Sequence, residues 1–299
     1  MNQRSPGDTD ATPPVLAVVG VGLIGGSFAA ALRRSGRVGR VLGVGRNRKS
    51  MQEAIELGLV DAEASLEEAA AQADIILLAV PVGATHSVLE TMLPALNANA
   101  VITDAGSTKA DVVEAARLAL GERIGQFVPG HPIAGAEKTG PSAASADLYE
   151  GRTVILTPLD ENDAAIRRRV TQLWEACGAR VVVMEPQTHD IVLASVSHVP
   201  HFLSSVYMWQ VASAANSDVR MELAGSGFRD FTRIAAGSPE IWRDIFLANR
   251  DAILSELAEV RASLDQAEQA LRAADGSQLH DFLERAALAR RFWGSRSRL

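Results

Sequence analysis

The chain has 299 residues, 47% of them apolar and 22% charged, a balance that supports packed cores and excludes a disordered or fibrous protein. At roughly 150 residues per domain, two domains are expected. Lys+Arg 29 against Asp+Glu 36 gives a net charge of −7, so nucleic acid and anionic membrane find no global attraction, and an anionic ligand must be held by a local basic cluster.

Residues 1–13 read as a polar arm without the apolar core of a signal peptide. Residues 15–20 (VLAVVG) form the first apolar run of strand type, and it leads directly into Gly20-Val21-Gly22-Leu23-Ile24-Gly25. A G-x-G-x-x-G between a strand and a helix has mechanical meaning. Gly20 permits the tight turn, Gly22 lets backbone approach a pyrophosphate, and Gly25 lets helix and strand pack. Leu23 and Ile24 open the helix whose N-terminal N–H groups face phosphate. The alternative is a set of turn glycines with no ligand. A helix over 27–34 and a strand over 41–45 (VLGVG) follow. An NAD site usually places an acid at the end of that second strand, and the chain has Gly45-Arg46-Asn47-Arg48-Lys49 instead. Small Gly45 with Arg46 and Arg48 suits the 2′-phosphate of NADP, with NAD as the alternative, and a solvated basic turn as the plain reading. The missing acid also weighs against S-adenosylmethionine.

Helical composition at 50–57 precedes a strand over 74–80 (DIILLAV), whose end, Val80 and Pro81, is expected beside the cofactor. The longest apolar run, 75–84, contains Pro81 and Gly83 and falls short of the ~18 residues of a bilayer span. Strands at 100–105 and 126–128, with a helix at 111–120 between them, carry TDAGSTK (103–109) and HPIAGAEK (131–138) at their carboxyl ends, where ligands gather in a doubly wound sheet. His131 beside Pro132 is a turn residue or, at that crevice, a base. Two further strands, 153–157 and 180–184, bracket Cys177. This single cysteine excludes an internal disulfide or thiolate cage and fits a reducing cytoplasm. Alternation of strand and helix implies βαβ units in one doubly wound sheet.

After Pro186 only helical signals remain: 187–216, shorter pieces to Ala236, then a long segment from Pro239. There Phe246, Ile253, Leu257, Val260, Leu264, Ala267 and Leu271 form a narrow apolar seam suited to another helix, in a homodimer or within the chain. Pro200 should kink its helix and free a carbonyl. His198 and His201 share a face, but no Cys or H-E-x-x-H pattern completes a metal set. Arg229 and Arg233, one turn apart, offer a carboxylate clamp or solvated charge. The expected architecture is a polar arm (1–13), a Rossmann-type α/β domain (14–186) and an all-α domain (187–299) that binds substrate and dimerises.

GVGLIGGS (20–27), TDAGSTK (103–109), GHPIAGAEKTG (130–140), LYEGRTVILTP (148–158), SHVPH (197–201) and GFRDFTRIAAGSPEIWRDIF (227–246) together resemble the prephenate/arogenate dehydrogenases of tyrosine biosynthesis, from residue 15 to residue 246. The resemblance implies NAD(P)-dependent oxidative decarboxylation, of prephenate to 4-hydroxyphenylpyruvate or of arogenate to tyrosine. It gives His131 the acceptance of the ring-hydroxyl proton, with Ser107 as partner to that hydroxyl and histidine. Arg233 would hold a substrate carboxylate, His201 and His198 would line the pocket, and Glu137 would govern access. Gly45-Arg46 departs from a family in which Asp is common there. At this length no appended regulatory domain is expected. Two other classes compete: a non-enzymatic NADP-binding regulator, and a β-hydroxyacid dehydrogenase or imine reductase. The latter would want a lysine acid, and none lies between Pro186 and Leu299.

Overall fold

The computed structural model describes residues 13–135 and 138–296. Nine strands are present among them: β1 Val15–Val19, β2 Arg40–Val44, β3 Ala62–Glu63, β4 Ile75–Leu78, β5 Val101–Asp104, β6 Phe127–Val128, β7 Gly130–Pro132, β8 Thr153–Leu156 and β9 Arg180–Val183. Six lie in one parallel sheet ordered β3-β2-β1-β4-β5-β6. The order reverses between β1 and β4, so the crevice at their carboxyl ends is the topological switch point, where open α/β sheets take ligands. Alternate residues feed two cores. Leu16, Val18, Ile75 and Leu77 join one cluster, while Ala17, Val19, Ile76 and Leu78 join the other. Period two explains why these strands read as unbroken apolar runs: both faces are covered.

The single sheet expected from the sequence is instead two. β7, β8 and β9 form a separate three-stranded sheet in which β7 runs antiparallel to β8 and β8 parallel to β9. The cause is local. β6 ends at Pro129, which has no N–H to continue a ladder. Gly130 then approaches β5 so closely that a Cβ would meet the Asp104 carbonyl oxygen at 2.9 Å. The turned chain carries His131 onto the new sheet, opposite Ile155. Trp174, fully buried against Phe28 and Tyr149, fixes this second sheet to the first core.

From Pro186 onward the described residues are helical. Pro186–Leu193, a π turn at Ala194–His198 and Val199–Ala212 run on as one helix. The expected distortion at Pro200 is this π turn. Val199 N–H reaches back to the Ala194 carbonyl just before the proline, inserting one residue and rotating the faces beyond it. An uninterrupted apolar run is absent, yet this folded helix is long and apolar enough, by length and composition, to cross a membrane. It is interrupted by His189, Asp190, His198 and His201, the first three of them buried.

The seam divides in two. Phe246, Ile253, Leu257 and Val260 pack within the chain against Ala194, Val199, Phe202 and Leu203. Leu264 and Leu271 stay exposed, as do Phe282, Leu283 and Leu288 on the last helix, Gly276–Arg296.

Candidate active site

The glycine loop meets the demands of a dinucleotide. Gly20 has φ +96° and a Cβ there would lie 2.2 Å from the Ala79 carbonyl oxygen, so no other residue fits. A Cβ on Gly25 would strike Gly20 O at 2.2 Å, whereas one on Gly22 would meet nothing within 4 Å. Gly22 thus faces open space, as a backbone approached by a ligand must. It also N-caps the helix Leu23–Arg34 without any side-chain hydrogen bond, and no acid sits in the first turn. The leading N–H groups of Leu23, Ile24 and Gly25 are left for an anion. Gly20 N–H donates to Val44 O at 2.9 Å, which joins the loop to the end of β2. There Arg46, Arg48 and Lys49 are exposed and form no ion pair among the described residues, while Asn47 caps the next helix by accepting from Ser50 N–H. Val80 lies across the crevice, its Cγ1 3.4 Å from where a Gly20 Cβ would be, and Pro81 is exposed beside it.

At the other side of the switch point the sequence-distant groups converge. His131 Nδ1 lies 2.8 Å from His189 Nε2, and His189 Nδ1 lies 2.7 Å from Asp190 Oδ1. Asp190 Oδ1 also accepts the Lys109 backbone N–H and Oδ2 that of Ala110, both at 2.8 Å. These are the leading amides of the helix Ala110–Leu120. Burial alone would raise the Asp190 carboxyl; the bonds from His189, Ala110 and Lys109 outweigh it and hold its pKa below the usual value. Fully buried Lys109 donates from Nζ to Asp104 Oδ2 at 2.5 Å. Asp104 further accepts the backbone N–H groups of Gly106 and Gly130, each at 2.8 Å. One carboxylate therefore ties the Ser107 turn to the strand bearing His131, and its bonds compensate the desolvation of the pair.

Asn249 Nδ2 donates to the Asp190 carbonyl at 2.8 Å and lies 3.0 Å from His198 Nδ1. His198 is fully buried near Ser107, which is half-buried, and its Nε2 makes no well-formed hydrogen bond. His201 stacks on Trp242, ring centroids 3.5 Å apart. Arg233 stands close enough to His201 for its charge to depress that imidazole. Arg229 is exposed on Ser226–Thr232, outside this set of contacts. Glu137 lies outside the described residues.

All three histidines of the motif are held neutral. Burial, then His189, Lys109 and His198, push His131 well below its ordinary value. Burial foremost takes His198 to about 4, and burial with Arg233 takes His201 to about 4. A histidine whose folded pKa is depressed gives its full stability above the unfolded value, near 6.5, and loses it as pH falls toward the folded one. Fully buried His198 alone accounts for about 3 kcal/mol across that interval. Thermal midpoints should be level above about pH 7 and drop between pH 6.5 and 4, and His198→Asn should drop less steeply. An unaltered slope in that variant would remove His198 as a source.

Asp104 and Lys109 belong to the TDAGSTK motif and Trp242 to GFRDFTRIAAGSPEIWRDIF, none with a role of its own in the sequence reading; His189, Asp190 and Asn249 fall outside every motif. The adjacent pair His189-Asp190, just upstream of SHVPH, was the available signal.

A Rossmann-type sheet with an uncapped glycine loop, beside a buried cluster of neutral histidines, defines a dinucleotide-dependent oxidoreductase with a helical second domain. The sequence model "Prephenate dehydrogenase, nucleotide-binding domain" matches residues 28–183, and "Prephenate dehydrogenase, dimerization domain" matches 185–285. The prephenate dehydrogenase of Bacillus subtilis is 34% identical over 274 residues, 91% of this chain and 74% of its own. The cyclohexadienyl dehydrogenase of Zymomonas mobilis is 34% identical over 279 residues, 92% and 94% respectively. The structure of Aquifex aeolicus prephenate dehydrogenase, in complex with hydroxyphenyl propionate and NAD+, superposes with a TM-score of 0.87 at 34% identity, covering 94% of this chain and 99% of that one. The chain belongs to the prephenate dehydrogenase family, and its class is oxidoreductase.

Proposed function

We propose that this enzyme oxidatively decarboxylates prephenate to 4-hydroxyphenylpyruvate with NADP, arogenate and NAD being the alternative substrate and cofactor. The observation that supports it most is the chain of mutual electrostatic influence that runs from His131, on the sheet domain, through His198 and His201 to Arg233 on the helical one. The oxidised nicotinamide, when bound, supplies the hydride acceptor. His131 takes the proton of the C4 hydroxyl as that carbon becomes a carbonyl, and Ser107 orients the same hydroxyl. The ring carboxylate is then vinylogously β-keto, and aromatisation drives loss of carbon dioxide. Arg233 holds a carboxylate, with His201 and His198 lining the pocket and Arg229 in reserve as anchor. Glu137 is assigned control of access by resemblance alone. Gly20, Gly22, Leu23, Ile24 and Gly25 receive the pyrophosphate, Arg46 and Arg48 the 2′-phosphate, and Val80 and Pro81 the nicotinamide side of the crevice.

Residues 14–186 are assigned to cofactor and 187–299 to substrate and a homodimer contact, for which exposed Leu264, Leu271, Leu283 and Leu288 are the surface; the arm expected at 1–13 lies, but for Pro13, outside the described residues. A cytoplasmic setting fits buried Cys177, whose thiol burial pushes up to about 12. Mixing protein with prephenate or arogenate, and NADP or NAD, should give reduced-nicotinamide absorbance fastest with prephenate and NADP. Absence of signal in all four mixtures would overturn the reading. Arg46→Ala should weaken NADP about tenfold and leave NAD unaffected, as expected for one exposed contact to a phosphate. Equal losses for both cofactors would move Arg46 off the 2′-phosphate.

A further inference from the structure

We infer that His189 and Asp190 are positioning residues, a relay that fixes the tautomer of His131 so that Nδ1 carries the proton and Nε2 keeps its lone pair. This rests on the reading of His131 as the proton acceptor. Asp190 is spoken for by two backbone N–H groups and is held ionised, so it can only accept. His189 must then donate from Nδ1, and its Nε2 is left as an acceptor. At 2.8 Å from that acceptor, His131 Nδ1 is the donor. One ring nitrogen of His131 remains, Nε2, and it makes no hydrogen bond among the described residues while the residue keeps 8% of its surface open.

The opposite chain of donors would spoil the site. With Nε2 of His131 protonated, the ring could not accept a hydroxyl proton at all. The relay also acts once the proton has moved. The O–H bond of the substrate breaks, its proton forms an N–H bond at His131 Nε2, and the resulting imidazolium keeps its Nδ1–H on His189 Nε2. Its positive charge then lies two bonded contacts from the Asp190 carboxylate. Burial, Lys109, His189 and His198 all disfavour a charged His131, so this negative group supplies the compensation at the moment of transfer. The groups that act on His131 are thus two histidines, His189 and His198, and Lys109; the Asp104 carboxylate is paired to that lysine, and the Asp190 carboxylate is reached through His189.

Three variants separate the relay from the base and from mere packing. His189→Phe keeps the ring volume but removes both nitrogens; His189→Gln leaves an oxygen that can accept from His131 Nδ1. His189→Phe should lower kcat about 10- to 100-fold at nearly constant KM, the range for groups that orient a reacting ligand. His189→Gln should recover part of that loss. Nitrogen NMR of histidine-labelled protein above pH 7 should show one tautomer of His131 in the parent, protonated at Nδ1, and a mixture in His189→Phe. Cofactor affinity and thermal midpoint, read on the same samples, report whether the variant folds; the tautomer readout stands even where turnover is lost to instability in part. Full kcat in His189→Phe, or the same single tautomer in both proteins, would overturn the relay. If His131→Asn itself retained turnover, the base assignment would fall first, and that outcome is distinct from an inactive His131→Asn beside an unimpaired His189→Phe.

Discussion

His131→Asn should lower kcat by on the order of 10²-fold or more while leaving KM nearly unchanged. Asparagine is the informative replacement because its side-chain amide stands near the position of Nδ1. It can still donate toward His189 Nε2, so the bond recorded at 2.8 Å has a counterpart and Asp190 and His189 keep their places. What disappears is Nε2, the nitrogen that accepts. In the proposed assignment, binding falls to groups on other elements, Arg233 on the turn Arg233–Ala236 and His201 on Val199–Ala212, so ground-state affinity should hold. Steady-state rates with saturating NADP and varied prephenate give both constants. Turnover within a few-fold of the parent would show that another group, or solvent, takes the proton.

The central strands were legible because burial on both sheet faces leaves them almost wholly apolar: IILL of β4 and VLAVV of β1 carry no polar residue. β3, with two residues, and β7, containing a proline, offer no such run. The second sheet escaped for that reason; its defining event is a turn at Pro129 and a close approach at Gly130, neither of which has a period. The cofactor half of the site was readable because it is local, six residues joined by one turn. The acid–base half is not. His131 and His189 are 58 positions apart, and Lys109 and Asp190 81 apart. In a helix, neighbours such as His189 and Asp190 point about 100° apart, so no helical spacing marks them as one buried unit. Only the packing of Pro186–Leu193 on the N-terminus of Ala110–Leu120 buries both. Asn249, likewise, sits at the break between two helices that the sequence presents as one long segment.

Arg233→Ala should act in the reverse sense, raising KM for prephenate by roughly 10- to 100-fold with a smaller effect on kcat, since a charge-assisted bond to a carboxylate contributes about 1.5–3 kcal/mol. In a protein of net charge −7 the local field at the pocket depends on such single cations, and the motif histidines His198 and His201 near it are neutral at pH 7. Arg233→Lys should fall between the two, because lysine restores the charge without the planar fork that grips two oxygens. There is an independent readout. Burial and Arg233 together hold His201 at about 4, so removing the guanidinium should move the titration of His201 upward in the substrate-free enzyme. A raised KM accompanied by that shift places the arginine where substrate and His201 both sense it. An unchanged KM with the shift present would leave Arg233 beside His201 but not on the carboxylate, and Arg229 would become the anchor to test.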